Sequence, residues 1–226
     1  FDKYVFKRDL ENKYIQKFGD KKLLMIQLLF EVQSSNEWLV KYLKECETLG
    51  DVNEHIGKLE EIDKERMQAL IKDKNLEDLL DQGTDTPHYF FYKLDYLLWK
   101  NFDNYFKDEK YQTVKERYYL TRLNSIEHIQ PQSKRNENGF NEDAIHNFGN
   151  LALISGGRNS SLSGQTVVKK KVDIQDWIDG KQRAQSLKMI LALDSVSIED
   201  PWDFEKAKNH DDEMKKLLFK DLENNN

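Results

Sequence analysis

Two stretches of the chain decide its fold: IEHIQPQ at residues 126–132 and GNLALIS at residues 149–155. The first predicts a short strand that ends before its proline, with a carboxylate and an imidazole side by side at the strand end. The second predicts a turn and a short apolar strand, which two glycines then end. A polar loop at residues 133–143 separates the strands, and Asn159 lies where a helix is predicted to begin. The predicted order is strand, loop, strand, helix.

Outside these strands the sequence predicts mainly helices. Apolar residues recur at helical spacing before residue 108, and Gly and Pro, which interrupt helices, number only 10 and 3 in 226 residues. Residues 111–132 are richer in Tyr, Val, Thr and Ile and predict one or two short strands. Helices are predicted at residues 3–18, 21–49 with a break at Ser34–Asn36, 54–80, 87–106, 182–193 and 202–222, followed by a frayed tail at 224–226.

Composition excludes several classes of protein. The densest apolar run, Leu23 to Phe30, is far shorter than the roughly 18–20 residues that span a bilayer, so no membrane helix and no membrane partner are expected. No secretory signal pattern opens the chain, which favours an intracellular protein or a fragment of one. A single cysteine, Cys46, excludes an intramolecular disulfide and any Cys-x-x-Cys zinc site.

Charge is distributed unevenly along the chain. The net charge of −6 argues against a basic coat for nucleic acid over the whole protein. Residues 121–190, however, hold 10 Lys and Arg against 7 Asp and Glu, a net of +3, whereas residues 1–120 carry −4 and residues 191–226 carry −5. An anionic partner is therefore expected at the middle of the chain.

The strand, loop, strand, helix region resembles a known family of nucleases. Ile126–Gln132, His146–Ser155 and Asn159 are similar to the ordered pieces IEHIxPQ, HxxGNLxLxS and N of HNH (His-Me finger) nucleases. Within that family the region resembles more closely the C-terminal nuclease domain of GmrSD-type restriction proteins, and PtuB-like anti-phage HNH subunits are similar too. The resemblance covers about residues 120–172 and implies a mainly α fold with a small ββα-metal finger inserted in it.

This resemblance also implies an organisation in three parts. Residues 1–110 would form a helical adaptor or regulatory region, and residues 111–180 would form the HNH finger. Residues 181–226 would add C-terminal helices that pack on the nuclease core, so that a helical bundle flanks the finger.

The chemistry of phosphodiester hydrolysis explains the residue types of the motif. A His with a near-neutral pKa can take a proton from water, typically worth a factor of ~10²–10⁴, and His128 is the candidate base. By resemblance, Glu127 and Asn159 are the metal ligands, and Asn150 belongs to the catalytic set as the residue that fixes the loop and orients His128. One carboxylate and one amide bind an ion weakly until substrate phosphate completes its shell, which suits Mg²⁺ or Mn²⁺. No structural zinc and no organic cofactor are expected.

The other histidines are harder to assign. His146 could be a further metal ligand, a phosphate contact or a structural imidazole, and we favour a supporting role because hard Mg²⁺ prefers oxygen ligands. His55, His88 and His210 have no partner pattern and are expected at the surface.

One arginine stands just before Asn159, and a run of three lysines follows the motif. In an arbitrary protein such a run forms a solvated face, but after a nuclease-like motif it predicts contacts to a nucleic-acid backbone. The aromatic residue that the family usually carries before its lysine is replaced here by the stretch Gln165–Val168, so the assignment of any single lysine stays open. The predicted nucleic-acid contacts are Arg158, Lys169, Lys170 and Lys171.

The expected function is that of a metal-dependent HNH endonuclease that nicks or cleaves DNA in the bacterial cytoplasm, in restriction or anti-phage defence. The alternatives are a catalytically inactive helical module that binds nucleic acid or a partner, and an RNA-cleaving HNH toxin, because the metal site does not read the 2′-hydroxyl. The sequence holds no P-loop. An NTPase or sensor is therefore the expected partner, either as a domain ahead of a fragment that starts at Phe1 or as a separate subunit.

Overall fold

The structure, a computed structural model, describes residues 20–33 and 36–223. The helix predicted at residues 3–18, the break at Ser34 and Ser35, and the tail at residues 224–226 lie outside the described residues. The chain divides into two compact units, Phe1–Leu70 and Ile71–Asn226.

The described part of the first unit is helical. The side chain of Asp20 caps the first helix by accepting a hydrogen bond from the Lys22 amide at 2.7 Å. The densest apolar run of the sequence, Leu23 to Phe30, is buried along its whole length. The Phe30 ring stacks on Trp38 with 4.8 Å between ring centroids. The helices are α1 (Lys21–Glu31), α2 (Glu37–Leu43) and α3 (Val52–Ile71), with a 3₁₀ turn at Cys46–Thr48.

The second unit holds the motif region, and helices surround its two strands. Its helices are α4 (Leu76–Leu80), α5 (His88–Lys100), α6 (Phe102–Tyr105), α7 (Gln112–Arg117), α8 (Gly156–Leu162), α9 (Val167–Ile178), α10 (Leu187–Asp194) and α11 (Phe204–Glu223). Its strands are β1 (Ser125–His128) and β2 (Leu151–Ile154). Its 3₁₀ turns are Gly83–Asp85, Glu109–Tyr111, Gln132–Lys134, Ala144–His146 and Phe148–Asn150.

The two strands form a small antiparallel sheet. Ser125 lies opposite Ile154, and His128 lies opposite Leu151. Every residue of β2 is buried, because α5 and α10 pack against this strand. Helix α8 follows β2 directly and packs against β1. The chain therefore runs strand, loop, strand, helix through the motif region, as the sequence predicts.

The fold confirms a mainly α protein with a small two-stranded sheet and refines one further prediction. Residues 112–117 form α7 rather than a strand, and the strand predicted in that region is confined to β1. Within the second unit the aromatic helix α5 packs against β2, α10 and α11. The organisation into an adaptor region, an HNH finger and C-terminal helices stays a prediction. None of the described helices is long and apolar enough to cross a membrane.

Candidate active site

The end of β1 carries Glu127 and His128 into the interior of the second unit. Only 5% of Glu127 and 6% of His128 are exposed to solvent. Neighbouring side chains of a regular strand point to opposite faces of the sheet. The two residues therefore have different surroundings: His128 lies against His146, and Glu127 lies against Lys170.

Asn150 fixes the backbone that follows His128. Its side chain is fully buried, and its oxygen accepts hydrogen bonds from the Gln130 amide at 2.8 Å and from the Trp202 indole nitrogen at 3.0 Å. Its amide nitrogen donates to the carbonyl oxygens of Ile145, at 2.8 Å, and of Gln130, at 3.3 Å. This amide thus fastens the chain after β1 to the loop before β2. Its part in orienting His128 for catalysis stays a prediction.

A buried lysine and a glycine hold the start of β2 in place. Lys188 of α10 donates to the carbonyl oxygens of Phe148, at 2.6 Å, and Leu151, at 2.5 Å, on either side of Asn150. Burial lowers the pKa of Lys188 to about 7. At Gly149, an added Cβ atom would lie 1.9 Å from the backbone oxygen of Ala207 in α11. Only glycine allows helix α11 to approach the loop so closely.

His128 is held as a neutral imidazole. Its Nε2 lies 3.2 Å from Nδ1 of His146, and the two rings meet edge to face. Burial, together with the neighbouring charges of His146 and Lys170, lowers the pKa of His128 to about 4. At neutral pH the ring is therefore unprotonated and able to accept a proton. The side-chain nitrogen of the exposed Gln132 lies 3.3 Å from His128 Nδ1.

His146 is itself positioned by a tight contact with Gly83. Gly83 has a φ of +59°, and an added Cβ atom would lie 3.1 Å from the Cβ of His146. Sequence reasoning did not single out this glycine, because its contact with His146 joins segments more than 60 positions apart. His146 therefore contacts His128 on one side and packs close to Gly83, and its functional role stays a prediction.

A substitution at Gly83 is expected to disturb this contact. Gly83→Ala should lower the free energy of unfolding by about 1–3 kcal/mol, because the alanine is strained at positive φ and crowds His146. Gly164→Ala is the matched control, since Gly164 also has a positive φ of +73° but an added Cβ would meet no atom within 4 Å. Urea unfolding of both variants measures the difference. Equal losses in the two variants would mean that the contact with His146 contributes nothing.

Glu127 forms a buried ion pair with Lys170 of α9. The Lys170 ammonium bonds Oε1 of Glu127 and donates to the carbonyl oxygen of His128 at 2.5 Å. Burial raises the pKa of Glu127 and lowers that of Lys170, while the attraction between the two charges opposes both shifts. The predicted surface role of Lys170 as a nucleic-acid contact is wrong, because its side chain is 0% exposed.

Asn159 lies on α8, the helix that packs against β1. Its side chain is half-buried. Within residues 20–33 and 36–223 the structure gives this side chain no hydrogen-bond partner, so its oxygen is available to a ligand. The second oxygen of Glu127, Oε2, likewise receives no hydrogen bond from the described part of the chain.

The other predicted basic contacts bind neighbouring protein groups. Arg158 donates to the Asp173 carbonyl oxygen at 3.2 Å and lies over the ring of Trp177. Lys169 pairs with the Asp173 carboxylate at 2.6 Å, and Lys171 donates to two backbone carbonyl oxygens at and just after the end of α10. The role of these three residues in nucleic-acid binding stays a prediction. To contact a phosphate, each side chain would have to give up its present hydrogen bond or ion pair within the protein.

The remaining histidines differ in their surroundings. His88 is exposed, as expected, and His55 is partly buried and hydrogen bonds to Tyr42 at 2.7 Å. The expectation of a surface position is wrong for His210, which is 8% exposed and packs edge to face against Trp202. Burial lowers the pKa of His210 well below its ordinary value. His210 thus packs against the indole ring that donates a hydrogen bond to Asn150.

Comparison with known proteins identifies the family. The sequence model of the C-terminal domain of GmrSD restriction endonucleases matches residues 70–217. No curated protein and no solved structure matches the chain. The matched family places the chain among nucleases of the restriction type, which are hydrolases. Because the match spans more than half of the chain and confirms the likeness seen in the motif, the protein belongs to the family of GmrSD restriction endonuclease C-terminal domains.

Proposed function

We propose that this chain is a metal-dependent HNH endonuclease that hydrolyses phosphodiester bonds of DNA. The observation that carries the proposal is the buried, neutral His128 that follows Glu127 at the end of β1, with Asn150 holding the backbone beyond it. Asn159 follows on the helix that packs against β1. These residues would supply a proton acceptor, a carboxylate oxygen and an amide oxygen.

His128 would act as the general base. In the productive tautomer its Nε2–H donates to His146 Nδ1, and the lone pair of His128 Nδ1 would take a proton from a water that replaces the Gln132 side-chain nitrogen, now 3.3 Å away. The lowered pKa keeps the ring unprotonated at physiological pH and also makes it a weaker base than an ordinary imidazole. His146 would then fix the tautomer, which is the role of the orienting group in other catalytic pairs.

The donor set of the site fits a hard divalent cation. Glu127 and Asn159 offer a carboxylate oxygen and an amide oxygen, the ligand types that Mg²⁺ and Mn²⁺ prefer. The described residues contain no group of three or more His, Cys, Asp or Glu that could hold a metal ion. Water and substrate phosphate would therefore have to complete the shell, as is usual for Mg²⁺. When bound, the ion would neutralise charge on the scissile phosphate.

The biological setting that fits this activity is bacterial restriction or anti-phage defence in the cytoplasm. The family description supplies the restriction context. Because the sequence contains no P-loop, we propose that an NTPase or sensor, either a domain of the same protein or a subunit, decides when the nuclease acts.

A plasmid assay tests the proposed function. Supercoiled DNA incubated with the purified chain and Mg²⁺ or Mn²⁺ is expected to be nicked or linearised. Chelation of the metal should lower the rate by at least about 10²-fold, since a bound cation contributes several kcal/mol to the stabilisation of charge in the transition state. Adding Mg²⁺ back should restore cleavage.

Two other outcomes would replace the proposal. Binding of the plasmid without cleavage, seen as a shift of its electrophoretic mobility, would favour an inactive binding module, and the Lys170 ammonium beside Glu127 would then act as a permanent substitute for the metal ion. Cleavage of single-stranded RNA with no cleavage of DNA would favour an RNA-directed nuclease.

A further inference from the structure

Lys170 occupies a core position of α9. The buried residues of this helix are Val167, Lys170, Ile174 and Trp177, spaced three, four and three apart. This spacing is the apolar stripe of an amphipathic helix, and the lysine stands where a hydrophobic residue is normal. A fully buried lysine costs free energy unless its charge is paired and its protons are hydrogen bonded. A lysine at this buried position therefore requires a specific partner for its charge.

The partner is the end of β1. The ammonium of Lys170 bonds Oε1 of Glu127 and the backbone carbonyl of His128, so one group of α9 is tied to two consecutive residues of the strand. With a side chain that is 0% exposed, Lys170 cannot reach a phosphate from where it lies. Its contacts point instead to the proposed metal ligand and to the backbone of the proposed base.

The buried Glu127 carboxylate is oriented by its contact with Lys170. Glu127 is almost entirely removed from water, and a carboxylate in such a place needs a paired and hydrogen-bonded partner. Only Oε1 is bonded by Lys170. The ion pair can therefore fix the carboxylate while its other oxygen remains available.

We propose that Lys170 is a positioning residue of the nuclease site, which orients the Glu127 carboxylate and links it to the backbone of His128. This inference rests on the proposed function, since it assigns Lys170 to the same site. It differs from a phosphate-contact role, because Lys170 acts through Glu127 and not on the nucleic acid.

The test compares Lys170→Met, Glu127→Gln and the double variant in the full chain. Lys170→Met is expected to lower kcat for plasmid cleavage by about 10- to 100-fold, the usual loss when the partner of a metal ligand is removed. Because Lys170 acts through Glu127, the double variant should cleave within about threefold of Glu127→Gln alone. Lys181→Met, which removes a lysine that is 65% exposed in its side chain, is the control and should cleave within about twofold of the unaltered chain.

DNA binding separates positioning from phosphate contact. Affinity measured in the presence of a chelator, over a range of salt concentrations, should change less than about threefold in Lys170→Met, with the same salt dependence. Loss of a phosphate contact would instead weaken binding and reduce the salt slope by about one. Weakened binding with an unchanged kcat would overturn the inference, and so would additive losses in the double variant.

Lys170→Arg keeps the inference testable if Lys170→Met folds poorly. If Lys170 is merely structural, the more heat-stable of the variants Lys170→Met and Lys170→Arg should also be the more active one. The positioning role predicts that arginine retains more activity than methionine at equal or lower thermal stability, because it preserves the charge beside Glu127. The same or lower activity in the arginine variant would overturn the inference.

Failure of this inference can be told apart from failure of the proposed function. If the unaltered chain cleaves no DNA in the presence of metal, the proposed function fails and the inference fails with it. If the unaltered chain cleaves DNA and the Lys170 variants cleave it equally well, only the inference fails.

Discussion

His128→Ala is expected to abolish metal-dependent cleavage of plasmid DNA. Loss of a general base typically lowers the rate by ~10²–10⁴-fold. The neighbouring imidazole of His146 is not expected to replace the lost base, because it belongs to another segment, whose packing against Gly83 the substitution leaves in place. The rate should be measured as the appearance of nicked circles under single-turnover conditions, with DNA affinity measured alongside.

His88→Ala is the matched control for this result. His88 is exposed at the start of α5 in the same compact unit and should be replaceable without effect on cleavage. DNA binding by His128→Ala should change little, because the ring is buried and carries no charge at neutral pH. If His128→Ala cleaves DNA at the rate of the unaltered chain, His128 is not the general base. The assignment of Glu127 and Asn159 as metal ligands would then also need a new test.

The local fold of the motif region was predictable because it depends on neighbouring residues. Residues 126–132 combine a short apolar run with a proline, and residues 149–155 combine a turn with an apolar run, so each sets its own strand. The helix at residues 112–117 was not predictable from the same kind of signal, because its β-branched residues, Thr113 and Val114, have a weak strand preference that tertiary packing overrides. The packing of α5 against β2, α10 and α11 joins distant segments, which no local pattern reveals.

The candidate site was predictable in its residue types but not in its contacts. Lys169, Lys170 and Lys171 look alike as a run of charge, yet a helix turns by about 100° per residue, so the middle lysine faces the core while its neighbours face outward. The spacing of Val167, Lys170, Ile174 and Trp177 carried this information in the sequence. The contact of Gly83 with His146 had no such signal, since it joins segments that are distant along the chain.

Asn150→Ala is expected to destabilise the second unit and to lower cleavage as a consequence. The substitution removes four hydrogen bonds in the interior and leaves the Gln130 amide, the Trp202 indole N–H and the Ile145 carbonyl without this partner. Each buried group left unsatisfied costs about 1–3 kcal/mol, so a loss of about 3–5 kcal/mol in the free energy of unfolding is expected. Urea unfolding measures this loss, and it should exceed the effect of any other substitution proposed for the site.

Asn159→Ala provides the opposite pattern and so separates the roles of the two asparagines. Its half-buried side chain has no hydrogen-bond partner among the described residues, and alanine is the better helix former, so stability should change by less than about 1 kcal/mol. Cleavage should nevertheless fall, and a higher Mg²⁺ concentration should recover part of it, because a metal ligand is lost while the fold is kept. Destabilisation of the same size in both variants would show that Asn159 is a structural residue. If the Mg²⁺ dependence of cleavage is unchanged in Asn159→Ala, Asn159 is not a metal ligand. That result would hold even if His128 has been shown to be the general base.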